Sequence, residues 1–363
     1  MLRSTLARIR CPNCLDGKSG ALALHEIKKK LGEDILSASL RCNDCESEFP
    51  ILAGVAILVN DIEQYLCLHA KGISSFVKDD EVPLTYRESF LQAKSEILDS
   101  EEDLESERVN ALYFMNHYVS AGKTKSNPWW RPKQNFSPEI DRLVKNFWDK
   151  GPFAKIAEWT KSAKHQNAIE LACGVGGLAQ ILALRVKAYL GIDSSFTSIA
   201  LARHINLGAP YPLSLNSPQD LYNGPLTGKI AAPKPLKNKN IDFVVGEIEA
   251  VPAPFGNFDL AIALNTIDVL ADPCELPKRQ HALLKKNGVA IQSSPYLWHS
   301  GVAEQLRSEL PKKIKSSSEA VAYLYEQQGF QIFKNIEHIP WLFLEHYRKI
   351  GVYSVHLFAA RKR

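Results

Sequence analysis

The chain has no apolar run long enough to cross a bilayer. Its longest, Ile51 to Val59, is interrupted by Gly54, and a membrane helix needs about 20 apolar residues. Charge of one sign is also lacking. Lys and Arg number 44 against 40 Asp and Glu, a net charge of +4, too weak to argue by itself for a nucleic-acid partner. No apolar stretch follows the arginines of MLRSTLARIR before Cys11, so no secretory signal is read. Internal repeats and low-complexity tracts are absent. With 45% apolar and 23% charged residues, the balance is that of a globular chain, long enough for two to three domains of about 150 residues. The seven cysteines are an odd set for a disulfide framework. In a chain without a leader they suggest metal in a reducing, cytoplasmic setting.

Composition divides the chain into residues 1–60, which hold two CxxC pairs and end in a strand-like apolar run, residues 61–139, read as helix and loop, and residues 140–363. Within the middle zone, 95–108 is acid-rich and reads as a solvated helical face. Residues 120–138 form a long loop carrying Trp129 and Trp130. From about 166 onward, apolar strands alternate with helical patterns, the signature of a parallel α/β sheet. A Pro-, Gly- and Asn-rich stretch at 206–240, with Tyr211 and Tyr222, reads as an insertion in that rhythm.

Cys11 and Cys14 stand 27 residues before Cys42 and Cys45. Each CxxC turn sets two thiolates on one side of a knuckle, and two knuckles supply the four soft ligands of a closed tetrahedral zinc site. A zone this small often needs such a staple. Iron in the same ligand set, or a redox pair, is the alternative. Redox CxxC pairs sit at a helix start in a βαβ unit, a context these lack.

Ala168 to Leu178, AIELACGVGGL, reads as strand, tight turn and helix. Gly174 and Gly176 let the backbone approach a ligand, and Glu170 sits near the strand end. Tyr189 to Asp193 reads as the next strand and ends in an acid suited to ribose hydroxyls. The third glycine of GxGxxG is missing, which disfavours a dinucleotide and an NAD-dependent oxidoreductase. Cys173 lies in the turn and reads as structural.

Three resemblances follow from these residues. Arg10–Cys14, Leu40–Cys45 and Phe49–Leu58 resemble the small zinc-ribbon proteins that activate RNA and protein methyltransferases. Ala53 and Ala56 stand where that family usually has Asp and Pro. The glycine turn, Asp193, the strand Asp242–Glu247, the strand Phe255–Asn265 and the helix–turn–strand Leu283–Ile291 resemble class I S-adenosylmethionine-dependent methyltransferases. That likeness implies a Rossmann-like seven-stranded sheet with S-adenosylmethionine held by Glu170, Gly174, Gly176, Asp193, Glu247 and Asn265. Glu247 replaces the more usual Asp, and Glu249 is a second candidate. Asn265–Pro273 with Ser293–Trp298, the GAPYPL of 208–213, and Glu105-Ser106 ahead of Tyr113 and His117-Tyr118 resemble the mercaptohistidine N-methyltransferases of the ovothiol pathway.

These likenesses imply N-methylation of a small molecule, at a nitrogen of imidazole type. The runner-up is an RNA or protein methyltransferase using the ribbon as activator or platform, and the Asn265-Thr266-Ile267-Asp268 run lacks the Asn-Pro-Pro-Tyr common in enzymes acting on base amines. A binding scaffold without catalysis is a third reading, which the intact turn and Asp193 oppose. Substrates of open α/β sheets approach the carboxyl ends of strands, which makes Tyr296 and His299 the catalytic candidates. His338, Trp341 and His346 have a spacing that fits one helical face or the packing of the last strands.

Overall fold

The computed structural model describes residues 1–14, 18–97, 117–118, 137–161, 167–207, 211–215, 226–230, 236, 240–346 and 349–363. Four strands pair antiparallel in chain order near the start: β1 (Leu22–Leu31), β2 (Asp34–Cys42), β3 (Glu48–Leu52) and β4 (Val55–Ala56). Only Ala53 and Gly54 join β3 to β4, both left-handed at φ 47° and 79°. A two-residue hairpin of that geometry matches the twist of its strands.

Helices α1 (Ile62–Leu68), α2 (Ala70–Ser74) and α3 (Leu84–Ile97) follow. The Asp61 side chain caps α1 by accepting the Gln64 N–H, which satisfies a donor the helix cannot. Helices α4 (Pro138–Lys150) and α5 (Pro152–Trp159) each carry proline in the first turn, where its missing N–H costs no hydrogen bond.

The large sheet is built by β5 (Asn167–Leu171), α6 (Ala179–Leu182), β6 (Ala188–Asp193), α7 (Phe196–Asn206), a separate hairpin β7 (Tyr211–Leu215) and β8 (Leu226–Ile230), β9 (Asn240–Val245), β10 (Phe258–Leu264), α8 (Glu275–Leu283), β11 (Leu284–Ser294), α9 (Ser300–Glu309), α10 (Ser317–Gln327), β12 (Phe330–His346) and β13 (Lys349–Lys362). Its seven strands run in the order β12-β13-β11-β10-β5-β6-β9. Strands β9, β6, β5, β10 and β11 are parallel, and β13 and β12 return antiparallel. Leu260, Ala261, Ile262 and Ala263 of β10 are all fully buried, as expected where helices cover both faces of a parallel sheet.

The small sheet docks on the β9 edge. Leu58 N–H donates to the Val245 carbonyl at 3.0 Å, and Ile57 bridges Val245 in parallel. Arg10 N–H reaches the Pro252 carbonyl at 3.0 Å. Arg8 donates to the Tyr189 carbonyl and to Asn240 Oδ1, each at 2.6 Å. Arg203 of α7 pairs with buried Asp242 and, at 2.6 Å, with Asp34 of β2. An exposed strand edge is open to unwanted pairing, and these contacts cover it.

His338, Trp341 and His346 lie on strand β12, not on a helical face. The β12–β13 register slips between Ile336 and Ile339, and left-handed His338 (φ 59°) sits within that slip. The bulge breaks the period of two and leaves a spacing that resembles a helix. Trp341 packs inward against Phe147 and Phe153. Among the described residues no helix is long and apolar enough to cross a membrane.

Candidate active site and metal centre

The turn after β5 and the end of β6 are tied by one carboxylate. Asp193 Oδ2 accepts the Gly174 N–H at 2.8 Å, and Oδ1 accepts the Ser195 N–H at 2.9 Å. Each oxygen keeps a further lone pair. Burial pushes the Asp193 carboxyl upward, against the two backbone donors that lower it. The three glycines of the turn differ in role. A Cβ on Gly176 would lie 2.5 Å from Phe243, and one on Gly177 would lie 2.5 Å from His117, so both are required by packing. A Cβ on Gly174 meets nothing nearer than the His117 ring at 3.7 Å. Among the described residues, Gly174 is therefore the least crowded of the three, in ordinary contact distance of the His117 ring.

Glu170 is fully buried one layer beneath the turn, where it accepts a hydrogen bond from the Tyr189 hydroxyl. Burial raises its carboxyl to about 8. It reaches the site through Tyr189 and the turn above it. Cys173 is buried, and burial pushes its thiol well up, which suits a packing role. Glu247 follows β9, half-buried, its carboxyl raised by burial and then by Glu249. Glu249 itself is exposed.

Three adjacent strands, β5, β10 and β11, are each followed closely by a left-handed residue that is not glycine: Ala172 (φ 52°), Asn265 (φ 53°) and Tyr296 (φ 59°). Such backbone costs about 1–2 kcal/mol per residue and clusters at functional sites. The strand order reverses between β5 and β10, where ligands of open α/β sheets bind. Asn265 is fixed there, its N–H on the Ser293 carbonyl and its Oδ1 accepting the Ser293 hydroxyl at 2.9 Å. Tyr296 stacks on Trp298 and brings its hydroxyl to 2.5 Å from His356 Nδ1. His299 is exposed at the start of α9, and its side chain makes no cap bond.

Sequence reasoning missed several residues around the turn. His117 Nδ1 accepts the Gly177 N–H at 3.2 Å. Burial lowers that imidazole to about 4, which keeps it neutral and able to accept. The Tyr118 hydroxyl donates to the Val175 carbonyl and accepts from Asn206 at 2.9 Å. Tyr65 of α1 donates to the Ser194 carbonyl at 2.6 Å, beside Asp193. The only signal for these was the short His117-Tyr118 likeness. Trp129, Trp130, Tyr222, Glu105, Ser106 and Tyr113 lie outside the described residues, and for Tyr211 the backbone alone is described.

The four cysteines converge. Their sulfurs all lie within 4.8 Å of one another, with Cys11–Cys45 at 3.6 Å and Cys14–Cys42 at 3.8 Å. Tetrahedral zinc with Zn–S bonds of about 2.3 Å sets its sulfurs about 3.8 Å apart. The Asp44 N–H points at Cys42 Sγ, and Ser47 holds Cys45 Sγ at 3.1 Å. The Ser47 contacts lower the Cys45 thiol to about 6, while burial raises that of Cys14 to about 11. This donor set fits a metal ribbon.

No curated protein matches the chain. Among solved structures, magnesium protoporphyrin IX methyltransferase from Synechocystis PCC 6803 with bound SAH is similar at 14% identity and a TM-score of 0.40, over 74% of this chain and 100% of that one. A complex between the Trm112 methyltransferase activator and a methyltransferase, from Haloferax volcanii, is similar at 14% identity and a TM-score of 0.37, over 61% and 94%. The model of the methyltransferase domain family matches residues 138–349, more than half of the chain. The turn, the strand-end acid and six of the sheet's seven strands, all but β13, fall within that match, and the chain belongs to the methyltransferase domain family.

Proposed function

We propose that the enzyme methylates a nitrogen of a small molecule, of imidazole type, and that Cys11, Cys14, Cys42 and Cys45 hold a structural zinc. The observation that carries the acceptor reading is the set of polar residues at the ends of β10 and β11. Asn265 and Asp268 follow β10 and Tyr296 follows β11, with Asp268 bonded to the N–H next to Tyr296, on a run without Asn-Pro-Pro-Tyr. Bound S-adenosylmethionine supplies an electrophilic methyl group on a sulfonium. The free lone pairs of Asp193 suit its two ribose hydroxyls, and the less crowded side of Gly174 admits its close approach. Glu247, half-buried beyond β9, would meet the adenosine end. Glu170 holds the turn in shape through Tyr189. Asn265 and Tyr296 orient the acceptor for an in-line displacement. The exposure of His299 leaves it the weaker of the two catalytic candidates.

A second reading has a specific observation behind it. The cysteine sheet extends the β9 edge through Leu58 and Val245, which suits a ribbon that activates an RNA or protein methyltransferase in cis. Incubation with methyl-tritiated S-adenosylmethionine and a cell extract split into metabolite, RNA and protein pools separates the two. Label in the metabolite pool is the expected result. Label only in RNA or protein would overturn the small-molecule reading and make the ribbon a recognition module.

A further inference from the structure

The acceptor side of the site holds three polar groups in an arrangement that packing alone does not require. His356 of β13 stands opposite Ser294 of β11 in register and is 2% exposed. Its Nδ1 lies 2.5 Å from the Tyr296 hydroxyl, and its Nε2 lies 2.5 Å from Asn335 Oδ1. The Asn335 oxygen only accepts, so Nε2 carries the ring proton and Nδ1 is left to accept from tyrosine. The hydroxyl oxygen of Tyr296 keeps its lone pairs for another donor. Glu337 lies 4.0 Å from His356 Nε2, and its side chain is 44% exposed, so the far end of this chain opens to water.

Asp268 completes the arrangement. It is 3% exposed. Its Oδ2 accepts the N–H of Leu297, next to Tyr296, at 2.8 Å. Its Oδ1 has no hydrogen-bond partner among the described residues. A buried carboxylate oxygen without a donor is costly, and such an exception calls for an explanation. A ligand that brings an N–H to this position supplies one.

We propose that Tyr296 and His356 form a proton relay for an N–H acceptor, and that Oδ1 of Asp268 anchors a second N–H or ammonium group of the same molecule. The assignment rests on the nitrogen-methylation reading above. As the acceptor nitrogen bonds to the methyl carbon, the carbon–sulfur bond breaks and its electron pair stays with sulfur. The proton on the ring's other nitrogen, made acidic by the new positive charge, passes to the Tyr296 oxygen, and the tyrosine's own proton passes to His356 Nδ1. The imidazolium is left beside Glu337, from which the proton reaches water. Tyr296 is thereby the catalytic residue and His356 the positioning residue behind it. The titratable groups that face the pair are Asp268 from the turn after β10, Glu337 from β12 and Tyr325 from α10.

The test compares the full chain with Tyr296→Phe, His356→Gln and Asp268→Asn, using methyl-tritiated S-adenosylmethionine and whichever extract pool the unaltered protein labels. The relay predicts a kcat about 100-fold lower in Tyr296→Phe and His356→Gln, with a changed pH profile and the calorimetric affinity for S-adenosylmethionine retained. Asp268→Asn raises the acceptor KM about tenfold with a smaller effect on kcat. In parallel, nitrogen-15 NMR of the histidines should show His356 protonated on Nε2, with its Nδ1 signal moving in Tyr296→Phe. Unchanged kcat and pH profile in both relay variants overturn the relay. Label confined to RNA or protein overturns the small-molecule reading, and the same variants then judge the relay on that polymer. If no pool is labelled, the reading of function fails, and a His356 found protonated on Nδ1 overturns the relay separately.

Discussion

Residues 11–56 bring four antiparallel strands together with four sulfurs, whereas residues 167–362 bury five parallel strands on both faces. The first region gathers four cysteines that, on the proposed reading, a zinc ion would staple. The second spends its irregular backbone at the strand ends, at Ala172, Asn265 and Tyr296. A ligand set would fix geometry in one region, and packing leaves a site free in the other. Between them runs a polar and backbone seam at β9, with Arg203, Asp242 and Asp34 at its centre. The contrast predicts that the regions fail separately and for different reasons.

The largest effect should come from the cysteines. Replacing Cys42 and Cys45 by serine removes half the ligand set of a site whose metal contributes about 10–16 kcal/mol of apparent binding energy in small zinc folds. Metal analysis should show an empty protein, and hydrogen exchange should show lost protection at β1 to β4, while β5 to β11 stay protected. Full metal occupancy in the double variant would refute the four-ligand centre. Equal loss of protection in both sheets would erase the contrast itself.

Next in size is the seam. Arg203→Met leaves the buried carboxylate of Asp242 without its guanidinium, at a cost of about 3–5 kcal/mol. Denaturant midpoints measure it. Adding Asp242→Asn should recover part of the loss, and no recovery would mean that Arg203 acts by packing alone.

Glu170 tests the interior of the large sheet. Its carboxyl is raised to about 8 by burial, from about 4.3 in an unfolded chain. The folded state therefore favours the protonated acid. Its contribution is complete below the unfolded value and is lost as pH rises through the folded one, roughly 3 kcal/mol of it by neutral pH. Glu170→Gln should be more stable than the parent in mildly alkaline buffer, with the gap closing toward acid. A gap that does not vary with pH would show that Glu170 is ionised in the fold.

Much of this was legible in the sequence because it is local. CxxC pairs, the glycine turn and Asp193 announce themselves within a few residues of their neighbours. Contacts made across the chain do not. Tyr65 stands 129 residues from Ser194, and His117 stands 60 from Gly177, with no periodicity to connect them. The pairing of Tyr296 with His356 depends on β13 returning antiparallel beside β11. The two final strands were hidden by the register slip near His338. The sequence also pointed to His299, immediately after Trp298, because proximity to a strand end says nothing of the direction a side chain takes.

A smaller loss, in affinity, is expected at the cofactor. Asp193→Ala removes a charged acceptor worth about 2–3 kcal/mol to its hydroxyl partners, and calorimetry with S-adenosylmethionine should show weakening of about 50-fold. Unchanged affinity would sink the ribose assignment and leave Asp193 as a clasp for Gly174 and Ser195.

The smallest effect draws the contrast within a single turn. Gly174 and Gly176 are both left-handed, at φ 52° and 73°, so either alanine carries about 1–2 kcal/mol of backbone strain. At Gly176 the added carbon also falls 2.5 Å from Phe243 and 2.9 Å from Ala202, an overpacking worth a further 1–3 kcal/mol, roughly. At Gly174 it comes only within ordinary contact of the His117 ring, at 3.7 Å, among the described residues. Gly176→Ala should therefore lower the melting temperature more, and Gly174→Ala should weaken S-adenosylmethionine binding more relative to its modest stability loss. If the two alanines lose stability and affinity in the same ratio, the turn is one structural unit and Gly174 has no separate part in holding the ligand. If the ratios diverge, the backbone at Gly174 is the place where the packed region gives way to the site.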